Sequence, residues 1–252
     1  MKITLSKTPL AQTAADAVVV GIFSDGKTAE RAAAEADRAT DGLLSKLIER
    51  KEITGKKYEL VPLLAPSGIA AEQMLVIGLG DRNNFDAGTA YRAAAAAAKQ
   101  LAGKPRKTVA YFLGDAKAEQ TENAVAGAIV GCQGQDIYRA EKKRHPFEEI
   151  LWDGSDEGTI RRGTILGESI NLTRRLVNEP PQDMYPESFA ARAAEVAKTC
   201  ALECEIWDQA TLEQERCGSL LAVARGSSRP ARLVILRYRG CKKDDPLLAL
   251  VG

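Results

Sequence analysis

Short apolar runs alternate along the chain with longer segments in which apolar residues recur at helical spacing, the pattern of an α/β domain. The runs of strand length are Ile3 to Leu5, Ala17 to Phe23, Tyr58 to Leu64, Met74 to Leu79 and Val109 to Leu113. Between them, Ala29 to Arg50 carries Leu43, Leu44, Leu47 and Ile48 on one stripe and predicts a helix. Thr89 to Ala102 predicts a second, alanine-rich helix. Lys99, Gly103 and Pro105 spell its stop: a cation in the last turn, a residue tolerant of positive φ, and one that cannot continue a helix.

Arg144 to Gly158 concentrates turn formers, Pro146, Asp153, Gly154, Ser155, Asp156 and Gly158, and reads as a domain boundary. The expected domains are therefore 1–152 and 153–252. In the second, Ile160 to Val177 has Leu166, Ile170, Thr173 and Val177 at helical spacing, with Gly163 and Gly167 placed four apart for the close approach of another element. Pro180 and Pro181 end that helix. Pro186 to Thr199 predicts the next, with Phe189, Ala193, Val196, Ala197 and Cys200 on one face. Strands are expected at Glu203 to Trp207, Leu220 to Ala224, Leu233 to Tyr238 and Leu247 to Val251.

Composition narrows the function. The 252 residues include 35 Lys plus Arg against 34 Asp plus Glu, so no global field holds nucleic acid or an anionic membrane, and such a partner would need a local patch. No apolar run reaches the roughly 18 residues of a membrane span, and the N-terminus lacks a signal-peptide core, which predicts a cytoplasmic protein. Five cysteines, an odd and scattered set, predict reduced thiols rather than a disulfide framework. Cys200, Cys204, Cys217 and Cys241 lack the paired spacing of a zinc site and read as buried or half-buried thiols. The one histidine, His145, lies in the charged stretch Lys142 to Pro146 and is expected on the surface.

Two phosphate-like motifs need weighing. Gly21 to Thr28 satisfies G-x-x-x-x-G-K-[ST] between a strand and a helix, with Asp81 or Asp115 available as the acidic Mg²⁺ partner of a P-loop NTPase. However, Ile22 and Phe23 prolong the apolar run, which favours one strand closed by the turn Ser24 to Lys27. Gly78-Leu79-Gly80-Asp81 lacks the third glycine of a dinucleotide fingerprint and reads as a strand-end turn.

The second half is more specific. Asn171 to Pro181, with Tyr185 to Ala190, resembles the segment that opens the catalytic domain of the leucyl (cytosol) aminopeptidase family, peptidase M17. Gly218 to Ser227 and Pro230 to Gly240 are similar to the next strands of that domain, and Asp16 to Thr28, Val76 to Phe85 and Glu122 to Tyr138 resemble the family's N-terminal domain. Tyr185 departs from the usual Ser or Thr cap, and Cys217 stands where Met is common. The resemblance implies a macro-domain-like three-layer α/β/α N-terminal domain followed by the truncated start of an α/β metallo-aminopeptidase catalytic domain, and it removes the P-loop. It also implies two divalent metals, Mn²⁺ or Zn²⁺ (Mg²⁺ is also used in the family), peptide substrates cut at the N-terminus with leucine favoured, and a homo-hexamer.

In that family the metal ligands, the catalytic lysine and its arginine lie C-terminal to the strand matching Leu247 to Gly252. No catalytic, metal-binding or cofactor-binding residue is therefore expected in this chain, which is read as a fragment stopping short of its chemistry. The competing readings are a non-catalytic binding protein that keeps the family scaffold and the P-loop enzyme.

Overall fold

The computed structural model describes residues 1–25, 31–114, 116–136, 138–240 and 246–252. It divides into two compact units, Met1–Arg175 and Leu176–Gly252. The first is built on a six-stranded sheet. Its strands are β1 (Lys2–Leu5), β2 (Ala17–Phe23), β3 (Leu60–Leu64), β4 (Gln73–Gly80), β5 (Thr108–Phe112) and β6 (Glu149–Trp152). They lie in the order β1-β6-β5-β2-β4-β3, all pairs parallel except the antiparallel edge strand β3.

Strands β2 and β4 are buried at every residue, which explains why Ala17–Phe23 and Gln73–Gly80 read as continuous rather than alternating apolar runs. Their side chains feed two cores. Val19, Leu75, Ile77, Val109 and Tyr111 face α3 (Ala87–Leu101) and α4 (Ala118–Cys132). Val18, Val20, Ile22, Met74 and Val76 face α1 (Arg31–Ala39) and α2 (Leu43–Glu49). The expected three-layer α/β/α architecture follows directly from this alternation of faces.

The first helical prediction needs correction at its middle. Asp41 (φ 52°) and Gly42 (φ 75°) break it into α1 and α2, while Ala29 and Glu30 lie outside the described residues. Strand β3 begins at Leu60 rather than Tyr58, whose φ of 68° places it in a turn, although its N–H still donates to the Gly78 carbonyl at 2.8 Å. Strand β6 lies inside the turn-rich stretch and is not among the expected strands, because Glu149–Trp152 is only four residues long.

Helix α5 (Glu157–Asn178) lies along α4, and glycines make the approach possible. A Cβ on Gly163 would meet the Glu122 carbonyl oxygen at 2.5 Å, and one on Gly167 would meet Ile129 Cβ at 2.9 Å. On its other side α4 uses Gly127 and Gly131 against Tyr91 and Ala95 of α3. The expected role of Gly163 and Gly167 is thus realised, with α4 as the approaching element. By packing, the first part of α5 belongs to the first unit.

The second unit holds α6 (Pro186–Cys200), β7 (Glu203–Trp207), α7 (Gln209–Gln214), α8 (Gly218–Ala224) and β8 (Leu233–Arg237). Strands β7 and β8 form a two-stranded antiparallel ribbon. Leu220 to Ala224, expected as a strand, is helical: Leu and Ala are strong helix formers, and a short apolar run carries no periodicity that separates the two states. Leu247 to Val251, expected as a central strand, forms none, and its Leu and Val side chains are 84–96% exposed. A strand exists only through its ladder partners, and among the described residues this run pairs with none.

Candidate functional site

Gly21, Ile22 and Phe23, which open the P-loop spelling, are the last residues of β2, in register with Ile77, Gly78 and Gly80 of β4. Gly21 is a packing residue: a Cβ there would meet Leu79 Cδ1 at 2.8 Å. Phe23 packs edge-on against Phe85 at 5.3 Å and lies under the Arg82 guanidinium at 4.2 Å. The backbone that should wrap a phosphate is thus committed to the sheet. Gly26, Lys27, Thr28 and Asp115 lie outside the described residues. Asp81 caps a short turn, accepting from the Asn83 N–H at 2.9 Å and the Asn84 amide at 3.0 Å.

The perturbed carboxylates are structural. Asp86 is held below the usual carboxylate range by the Thr89 hydroxyl and then its N–H, and Asp156 likewise by Thr159. Asp208 is lowered by the N–H and then the hydroxyl of Thr211. All three precede helices, α3, α5 and α7, in the same D-x-x-T spacing, where the carboxylate satisfies an orphan N–H of the first turn. That spacing is the sequence signal by which these caps can be found. Glu205 is lowered by the Trp207 indole N–H and by Arg237, and Asp136 by the Lys143 N–H. None of these five is raised toward neutrality, as a general acid would be.

The thiols are partly corrected. Cys132 is buried, and desolvation pushes its pKa to about 11, so it is inert. Cys200 and Cys204 are exposed, against expectation, and Cys217 is half-buried. Cys200 is the last residue of α6. Cys241 lies outside the described residues. His145 is half-buried, its backbone N–H donating to the Ala102 carbonyl at 2.8 Å.

The segment carrying the family resemblance has a positional role. Asn171 Nδ2 donates to the Ile129 carbonyl and Arg174 to that of Val130, both at 3.2 Å, adding a second donor to carbonyls in the last turn of α4 that also accept from Cys132 Sγ and the Gln133 N–H. In the second unit Tyr185 supplies no side-chain cap, as expected, but its N–H donates to Ser188 Oγ at 2.9 Å.

One cleft of about 490 Å³ opens in the second unit, lined by residues that include Glu213, Arg225, Ser227, Ser228 and Arg229. Glu213 already accepts from Gln209 at 3.1 Å, and Arg229 stacks on the Tyr185 ring at 3.9 Å. The cleft contains no nucleophile paired with a base. Among the described residues no three His, Cys, Asp or Glu gather as metal ligands, so the described residues do not fit a metal centre. No described helix is long and apolar enough to cross a membrane.

Residues 19–142 match the cytosol aminopeptidase family, N-terminal domain, and residues 171–252 match the cytosol aminopeptidase family, catalytic domain. A probable cytosol aminopeptidase of Rhodopirellula baltica is 39% identical over 233 residues, covering 91% of this chain and 46% of that protein. One from Syntrophotalea carbinolica is 33% identical, covering 100% and 54%. Among solved structures, the bottromycin maturation enzyme BotP in complex with Mn superposes with a TM-score of 0.72 at 28% identity, over 89% of this chain and 45% of that one. A tomato leucine aminopeptidase mutant superposes with a TM-score of 0.77 at 21% identity, over 93% and 50%, a likeness of fold. The chain spans about half the length of these relatives. Two matches to one family, lying in order along a chain with the expected α/β fold, make it a member of the cytosol aminopeptidase family that carries the N-terminal domain and the start of the catalytic domain.

Proposed function

We propose that this chain provides the N-terminal domain and the leading part of the catalytic domain of a metal-dependent aminopeptidase. The enzyme releases N-terminal residues, leucine favoured, from peptides in the cytoplasm. It works as a homo-hexamer with two divalent metals, Mn²⁺ or Zn²⁺. The observation that carries this reading is the catalytic-domain match at 171–252. Manganese is supported by the Mn complex of BotP.

No step of the reaction is assigned to residues of this chain, because the described residues hold no ligand set. Their contribution is scaffold: α5 anchored to α4 through glycine contacts, followed by the helices and ribbon of the second unit. The ligands, and the lysine and arginine that act with them, belong to sequence that the relatives carry beyond the matched half. The test is a chimera in which this chain is continued by the remaining catalytic-domain sequence of the Rhodopirellula relative. It is expected to hydrolyse leucine p-nitroanilide with Mn²⁺ and to lose that activity to a chelator. Chelator-sensitive hydrolysis by the 252-residue chain alone would overturn the assignment.

A further inference from the structure

Strand β3 ends the six-stranded sheet, with no strand beyond it among the described residues. Its sequence, Leu60-Val61-Pro62-Leu63-Leu64, holds no charge, and Leu64 is 77% exposed. An uncharged apolar edge of this kind is a template for pairing with another chain. The opposite edge is protected by other means: β1 has four residues and opens on Lys2, whose ammonium pairs with Glu149 at 3.5 Å. Strand β3 lies inside the stretch 19–142 that matches the family's N-terminal domain, so its edge belongs to a domain this chain carries.

The bonds at the two ends of β3 show which of its residues turn outward. The Gly78 N–H donates to the Glu59 carbonyl and the Ala65 N–H to the Glu72 carbonyl, both at 2.8 Å. Between them Val61 lies opposite Val76 and Leu63 opposite Met74. Backbone groups of an antiparallel edge strand point alternately at its partner and away from it. Glu59, Val61, Leu63 and Ala65 therefore turn theirs to β4, and Leu60, Pro62 and Leu64 turn theirs outward. Pro62 is the middle residue of the outward three. It has no N–H to give a further strand, and its ring stands where that strand would approach. A proline one position earlier or later would instead take a donor from the ladder with β4. An edge strand meets its own copy antiparallel about a two-fold axis, and centred on residue 62 both central donors would be missing. We infer that Pro62 closes the outer edge of β3 to a second copy of this chain, so that any assembly of the protein uses other surfaces.

Restoring the missing donor tests this. Pro62→Val in the 252-residue chain is expected to associate as concentration rises in sedimentation velocity. Amide exchange across 60–64 should slow at least about tenfold at high concentration, with no such change in β2. Adding Leu64→Lys to that variant should reverse both effects, because a charge then stands on the paired edge. Pro62→Ala restores the same N–H with a smaller side chain and takes the place of Pro62→Val if the valine variant does not fold by circular dichroism. Folded variants that sediment as the wild type at every concentration overturn the inference, as does association that leaves 60–64 unprotected. Wild-type exchange at 60–64 that slows with concentration overturns it too. In the chimera, exchange at 60–64 should match that of the 252-residue chain; strong protection there would show the edge covered in the longer protein and would also overturn the role of Pro62.

Discussion

Glycines at the α4–α5 contact act by what they lack. At Gly163 an added methyl would face the backbone carbonyl of Glu122, which cannot swing away as a side-chain tip can. Gly163→Ala gains about 1 kcal/mol of helix propensity but meets an overpacking cost of about 1–3 kcal/mol. Urea denaturation should show a net loss of up to about 2 kcal/mol. The caps give a pH test. Because the Thr159 hydroxyl and N–H hold Asp156 below its usual range, its stabilisation is fully present above the unfolded value of about 3.9 and fades as pH falls through the lower folded value. Asn caps as well as Asp but does not titrate. Asp156→Asn should therefore match the wild type in urea midpoint at pH 7 and overtake it below about pH 4. Asp156→Ala should fall short at pH 7, with the gap closing in acid. Such caps are legible in sequence from D-x-x-T spacing; the bond from Arg174 to the Val130 carbonyl is not, since 44 residues separate its partners.

At the scale of elements, long or doubly marked patterns predict best. Strands β2, β4 and β5 and helices α3 and α6 carry either a full apolar run or start and stop signals. Strand β6 and helix α8 escape the sequence for the same physical reason: four to seven residues of apolar sequence fit either period. The division at 152/153 invites a direct measurement, because α5 covers α4 through Ile160, Gly163 and Gly167. A chain ending at Trp152 would leave Val125 and Ile129 partly open to water, at about 1.5–3 kcal/mol for each apolar side chain uncovered. At about 2–4 °C per kcal/mol, a chain ending at Arg175 should melt at least about 5 °C higher by circular dichroism than one ending at Trp152. Equal melting temperatures would place the end of the first domain at Trp152.

For the whole molecule, the two units should behave unequally. The first buries both faces of its sheet under helices, whereas the second leaves Val223, Tyr238 and the Leu247–Val251 run largely exposed. Hydrogen exchange on the 252-residue chain should find β2 and β4 protected at the level of global unfolding and β7 and β8 exchanging at least a hundredfold faster. The family was legible in the sequence through the motifs from Asn171 to Pro181 and Gly218 to Gly240, and so was the α/β class, because doubly buried strands and one-faced helices write burial directly into residue order. The local pattern also limits the P-loop spelling, since Ile22 and Phe23 extend an apolar run. Tertiary structure alone decided that Gly21 packs against Leu79, that α4 is the partner of Gly163 and Gly167, and that Cys204 and Ile206 share an uncharged face with Leu236. These depend on which distant segments meet, and periodicity records how much of a side chain is buried without recording what buries it.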